Sequence, residues 1–345
     1  MIRSWIKTGA ARVMSRTGLD NLVGLLSGAK GGPLVVGYHR VVEDFAFSAK
    51  TSIPPMLVSS GMLEQHLDWI GRRFRFISLD ELGARLDARD SREDPVAAIT
   101  FDDGYRDFYY HALPLLKRKG IPAAVFVVTD LLGTQRVQIH DRLYLLLARR
   151  FSPKGGGPTP FQATRALLDT LSQAEVEKVI QALEHELPIP EDTFRPFYSL
   201  TWEMLDEIRR AGITIGSHSR THVLMSNESK ERVMEEIAGS RKEIEGRLGI
   251  RVQHFAYPSG IFDSSVVDAV AAAGYRFGYT TCTHRDTRLP LLTVPRTLLW
   301  ENSCLDSNGV FSGSILNCQI RHAFDRVNGC HQHHAASQEE ENDRL

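Results

Sequence analysis

The sequence predicts an α/β fold built on a parallel sheet, doubly wound or closed into a barrel, and three observations carry that reading. Short apolar runs of strand length alternate with helix-patterned segments from residue 34 to about residue 280. Polar, reactive side chains fall repeatedly at the downstream ends of those runs, the face on which parallel α/β folds bind ligands. At 345 residues, 42% of them hydrophobic, the chain can bury a sizeable core and has the length of an α/β barrel carrying an insertion.

In chain order, "PLVVGYH" reads as a buried strand and "SGMLEQHLDWIGRRF" as a helix. "VAAITF" is the next strand, followed by the helix "YRDFYYHALPLLKRKG", closed by Gly120, and the strand "IPAAVFVV". The alternation breaks between residues 133 and 200. There "FSPKGGGPTP" is a loop by composition and "ATRALLDTLSQAEVEKVIQALEHEL" is helical, so this stretch is expected to be a helical insertion on the loop side of the body. The alternation resumes with the helix "LTWEMLDEIRRAG", capped by Thr201, and the strand "ITIGS". A long charged helix over "SKERVMEEIAGSRKEIEGRLG" leads to the strand "VQHFAYP", a helix with Asp263 as N-cap, and the strand "YRFGYTT". Residues 33–300 thus form the body. After Trp300 the pattern decays, and residues 301–345, ending "HQHHAASQEEENDRL", are expected to be an unstructured tail.

Composition excludes several classes. With 41 basic and 42 acidic residues the net charge is −1, so nothing global favours nucleic acid as a partner. Cys282, Cys304, Cys318 and Cys330 lack metal-binding spacing and read as free thiols. No apolar run is long enough to span a bilayer. Residues 1–32 begin with a segment in which Ile2, Trp5, Ile6, Ala10, Val13 and Met14 recur at helical spacing between Arg3, Lys7, Arg12 and Arg16. Lys7 and Arg12 interrupt what would be the apolar core of a secretory signal. The segment reads as a helix docked on the body or as a basic amphipathic helix making peripheral membrane contact, and the expected location is the cytoplasm or the cytoplasmic face of the inner membrane.

Four strands deliver polar groups to one rim: His39 after "VVGY", Asp102 and Asp103 after "AAITF", His218 after "ITIGS", and "YPSG" after "VQHFA". His218 and His222, in "GSHSRTH", are an i, i+4 histidine pair. Two imidazoles and a carboxylate from a second strand, with positions left open, suit a catalytic divalent metal. The adjacent aspartates could cap the following helix, but capping needs only one. Successive side chains at a strand end point in different directions, so Asp103 could reach a metal while Asp102 reaches the water beside it.

"TFDDGY" followed by "SHSRTH", separated by strand–helix units, resembles the NodB-type polysaccharide deacetylases, metal-dependent carbohydrate esterases. "YHRVV", "LTWEMLDEIRRAGITIGSHS" and "FAYPSG" look most like the branch found with bacterial exopolysaccharide genes. The resemblance implies a distorted (β/α) barrel and removal of N-acetyl groups from an acetylated amino-sugar glycan. It implies Asp103, His218 and His222 as ligands of a divalent metal, zinc first, with cobalt, nickel, manganese or iron as substitutes, and Asp102 as general base. Tyr257, Pro258 and Ser259, with Arg296, are expected around the substrate carbonyl, the Ser259 amide helping to hold the oxyanion. The third family motif, Arg-Pro-Pro-Tyr-Gly, reads Ala256-Tyr257-Pro258-Ser259-Gly260 here, so the arginine that orients the base is absent. Arg296, in "LTVPRTLL", is the candidate substitute guanidinium. The late histidine motif that supplies a general acid is also missing, leaving His39, or less favourably His284. Alternatives are a catalytically silent glycan-binding barrel, or catalysis on O-acetyl esters or non-sugar amides.

Overall fold

The structure, a computed structural model, describes residues 32–88, 94–151, 158–281 and 284–322, together with residues 8, 9, 11, 13 and 17. Nine of its strands form one parallel sheet. They are β1 (Leu34–Tyr38), β4 (Arg75–Phe76), β5 (Val96–Phe101), β6 (Ala123–Val127), β7 (Thr214–Ser217), β8 (His254–Ala256), β9 (Phe277–Thr280), β10 (Val294–Pro295) and β11 (Thr297–Leu298). A separate pair, β2 (Arg40–Val42) and β3 (Leu57–Ser59), extends beyond the end of β1. The order in the large sheet is β10-β9-β8-β7-β6-β5-β1-β11, with β4 on β5.

The two ends of that order are one stretch of chain. β10 pairs with β9, β11 pairs with β1, and a single residue, Arg296, separates them. The sheet therefore comes close to closing on itself as a (β/α) barrel, with Arg296 in the seam. Closure explains the strand sequences. Alternate residues serve two different cores: Val36, Ile99, Val125, Ile215 and Phe255 face the surrounding helices, whereas Val35, Ala98, Ala124, Phe126, Ala256 and Tyr279 fill the barrel interior. Both faces are apolar, which is why the strands read as continuous apolar runs rather than as alternating ones.

The insertion is helical, over Ile139–Arg150, Pro160–Thr170 and Gln173–Glu186, and packs around its own core of Leu143, Leu146, Leu147, Val176 and Ile180. Capping boxes at Thr159/Gln162 and Ser172/Glu175 start two of these helices. Its exit is stitched to the body at the turn after β5: Tyr105 bridges Ser199, and the Leu200 N–H donates to the Gly104 carbonyl at 2.9 Å.

The expectation of an unstructured chain from residue 301 gives way over residues 301–322. The Glu301 carboxylate accepts from the Ser59 amide and hydroxyl, and the helix Gly313–Ile320 buries Ile315, Leu316, Cys318 and Ile320. These apolar positions are too few to stand out in the sequence beside the charged residues that follow. Residues 323–345 lie outside the described residues, as does most of the segment 1–32. Of the latter, Ala11 is buried against Ile315 and Cys318. Cys304 and Cys318 are free and buried; Cys282 and Cys330 lie outside the described residues. Among the described residues no helix is long and apolar enough to cross a membrane.

Candidate active site

The site forms where the inward-facing residues of β1, β5, β7 and β8 run past the ends of their strands. Ala98 lies inside the barrel, so Thr100 and Asp102 share its side by alternation. Asp103 would face the opposite way, but its backbone is left-handed, at φ 70°. Asp is among the residues that tolerate this conformation, and the turn swings its carboxylate toward β7. Gly104 follows, also left-handed at φ 65°, where a Cβ would stand 3.0 Å from Val127 Cγ1.

Asp102 is gripped from the seam. Arg296 donates from Nη1 to Oδ1 and from Nη2 to Oδ2, both at 2.7 Å, and from Nη1 to Thr100 Oγ1 at 3.1 Å. The arginine side chain is fully buried, over the Phe126 ring. Beside it Gly37 makes room for the neighbouring strand, since a Cβ there would clash with Leu298 Cδ2 at 2.5 Å. Burial by itself would raise the Asp102 pKa, but the guanidinium outweighs it and holds the carboxyl below the ordinary carboxylate range.

Asp103 has the opposite environment. It is fully buried, and neither carboxylate oxygen has a hydrogen-bond partner. Burial, then the Asp102 charge, push its pKa well up. Its Oδ1 faces His222 Nε2 at 3.3 Å and His218 Nε2 at 3.6 Å, and one ligand atom from each of the three residues lies within 4.8 Å of the others. Nδ1 of His218 is 2.8 Å from the Ala256 carbonyl. A carbonyl only accepts, so the proton sits on Nδ1 and the Nε2 lone pair faces Asp103. A buried carboxylate without donors is costly. Edges of 3.3 and 3.6 Å match the roughly 3.3 Å expected between ligands of a tetrahedral zinc bonded at about 2.0–2.1 Å. These residues therefore fit a divalent cation.

His39 is partly exposed at the end of β1. Burial lowers its pKa to about 4, with the Asp102 charge opposing. Ser259 is left-handed at φ 56°, in the turn that ends β8. Two expectations about the substrate side change. The Tyr257 hydroxyl donates to the Leu292 carbonyl and its ring packs on Phe255 and Phe262, so this side chain belongs to the outer core. Arg296, the candidate substitute guanidinium, has both Nη groups on Asp102, so it meets the base carboxylate as that reading expects and does not face a substrate carbonyl. His284 is exposed in a late loop.

Two neighbours escaped the sequence reading. From the insertion, His140 sets its ring edge-on to His222, with centroids 5.1 Å apart. Its Nε2 meets the Tyr105 hydroxyl at 2.8 Å, and that hydroxyl donates to Asp141 at 2.6 Å. The second is Glu236, buried beneath the loop joining the two histidines. The adjacent His-Asp pair in "QIHDRLYLLL" was the available signal for the first; for Glu236, one acid in a charged helix, there was none.

Comparison with known proteins agrees with this architecture. The YxkH protein of Bacillus subtilis is 20% identical over 219 residues, 63% of this chain, which thereby spans 56% of that relative's length. Among solved structures, the Streptococcus pyogenes deacetylase PplD in complex with acetate superposes with a TM-score of 0.55 at 19% identity, covering 83% of this chain and 97% of that one. IcaB from Ammonifex degensii gives 0.54 at 18% identity, covering 84% and 97%. At such identities the likeness concerns the fold. The model of the family described as polysaccharide deacetylase matches residues 89–150 and 156–278, more than half of the chain, including Asp102, Asp103, His218, His222 and Ser259. The chain belongs to the polysaccharide deacetylase family.

Proposed function

We propose that the chain hydrolyses N-acetyl groups on an amino-sugar polysaccharide or its precursor, releasing acetate, with zinc or a similar divalent cation held by Asp103, His218 and His222. The observation that carries this is the division of labour between adjacent aspartates. Asp102 is kept ionised by a bidentate guanidinium, and Asp103 is left with two unpartnered oxygens facing two histidine nitrogens.

When bound, the cation would polarise the acetyl carbonyl and acidify water beside it. Asp102 takes the proton of the attacking water, and Arg296 holds its oxygens in place before and after the transfer. The amide of Ser259, at the turn ending β8, helps hold the developing oxyanion. His39 delivers a proton to the departing amine. Its lowered pKa leaves it neutral at pH 7, so it acts as a relay: it gains the proton that Asp102 took from the water and passes it to the amine, which returns both side chains to their starting states.

Two departures, the absent family arginine and the absent late histidine, are the reason for considering a binding-only barrel, and the Arg296–Asp102 pair answers the first by supplying a guanidinium by another route. The test is acetate release from N-acetylglucosamine oligomers by chelator-treated protein with zinc restored, against an O-acetylated glycan in parallel. Release only from the ester would reassign the substrate, and release from neither would leave the binding reading.

A further inference from the structure

We infer that Glu236 is a positioning residue for the metal site, holding the loop between the two histidine ligands in its ligand-competent shape; the inference rests on the reading of Asp103, His218 and His222 as a cation site. The loop Ser219–His222 makes two left-handed turns at non-glycine residues, Ser219 at φ 69° and His222 at φ 61°. Each such residue costs of the order of 1 kcal/mol or more and persists only where the surroundings over-determine it. The second turn aims the His222 ring, so whatever holds this backbone decides whether the third ligand is present.

Glu236, on the helix Lys230–Leu248, rises from below the loop and is fully buried. Its Oε2 accepts the amides of Arg220 and Thr221, both at 2.8 Å, and its Oε1 accepts the Thr221 hydroxyl at 2.7 Å. Those amides lie between the histidines and outside any sheet. One carboxylate thus performs for the loop what a neighbouring strand performs for β7. Arg232, 2.7 Å from Oε1, supplies the counter-charge from the same helix rather than from the metal site. Other fastenings hold the loop's carbonyls and side chains. The Asp130 and Thr129 amides donate to the Arg220 and Ser219 carbonyls at 2.9 and 3.3 Å, and the Arg220 guanidinium pairs with Asp130 at 3.0 Å. Gln173 Nε2 donates to the Thr221 carbonyl at 3.1 Å, and the His222 amide donates to Ser219 Oγ at 2.9 Å. The Arg220 and Thr221 amides are left to Glu236. A helix cap does not account for Glu236, since it sits in the second turn and reaches out of its own helix.

The test is zinc affinity, measured by competition with a chromophoric chelator on the full chain, with thermal stability of the metal-free protein read in parallel. Glu236→Gln keeps the shape but has one acceptor oxygen and places an amide N–H₂ beside a donor. Zinc affinity is expected to fall 10- to 100-fold, the usual effect of losing a partner that orients a ligand, and the visible spectrum of the cobalt form to change. Glu243→Gln, on the same helix and paired with Arg247 rather than with the loop, is expected to stay within about threefold of wild type by the same scale. Should Glu236→Gln not fold, Thr221→Val carries the test: removing one of the carboxylate's loop contacts is expected to lower affinity by a smaller but measurable factor. Zinc affinity unchanged in the variant that folds, with only thermal stability reduced, overturns the inference and makes Glu236 structural. Wild-type protein that binds no zinc overturns the metal reading and the inference with it.

Discussion

Replacing Arg296 tests the catalytic reading most directly, because this side chain touches Asp102 and Thr100 but none of the three residues assigned to the cation. Arg296→Met leaves the Asp102 carboxylate buried without its counter-charge. Breaking a buried pair in this way costs about 3–5 kcal/mol of stability, and loss of a positioned general base lowers turnover by about 10²- to 10⁴-fold. Arg296→Lys keeps the charge but loses the fork that engages both oxygens, so an intermediate loss is expected. The pH profile separates positioning from mere destabilisation. In the native protein the guanidinium holds the Asp102 pKa down, so the base is ionised, and active, well below neutrality. Without it burial prevails, the pKa rises, and the acid limb of kcat/KM moves to higher pH. The measurement is acetate release against pH at saturating zinc, repeated in an Asp102→Asn background. If Arg296 acts only through Asp102, adding Arg296→Met to Asp102→Asn costs little further activity. Full activity of Arg296→Met with an unmoved acid limb, or full additivity of the two substitutions, would refute the reasoning.

Asp103→Ala and His222→Ala are expected to lose bound zinc and activity together, whereas Asp102→Asn keeps zinc, measured by metal analysis, and loses about 10²- to 10⁴-fold in turnover; an active Asp102→Asn sinks the base assignment. His39→Ala should depress acetate release more than His284→Ala, and the reverse ranking moves the acid role to the late loop. His66, fully buried against Tyr38, has its pKa lowered from 6.5 to about 4 by burial. It folds neutral and gains its proton on unfolding, so the folded state loses stability as pH falls below 6.5 toward 4. From pH 7 to pH 5 this amounts to about 2 kcal/mol. Urea unfolding should show that drop shrinking by a similar amount in His66→Leu, and an unchanged drop would contradict the neutral buried state.

The apolar runs, the Gly120 and Asp263 boundaries and the insertion are matters of local sequence, and all appear in the fold. The convergence of His39, Asp102, His218 and the turn after β8 on one rim was also legible. Parallel strands share a direction, and alternation assigns every second side chain to the same side. Asp103 was legible as a residue but not as a conformation, since its left-handed turn depends on Gly104 fitting against Val127.

What only the tertiary structure decided is what the barrel's closure brings together. Arg296 and Asp102 are 194 positions apart, and the arginine lies between two-residue strands beside a proline, too short a segment to read as a strand. The sequence by itself could offer Arg296 as a guanidinium. Whether that group faces solvent or the aspartate depends on β10 and β11 pairing with opposite ends of the sheet. The same holds for His140 against His222 and for Glu236 beneath its loop, where elements remote in sequence meet by packing. Sequence period determines which face of an element is apolar; which distant polar group meets which is settled only when those faces close on one another.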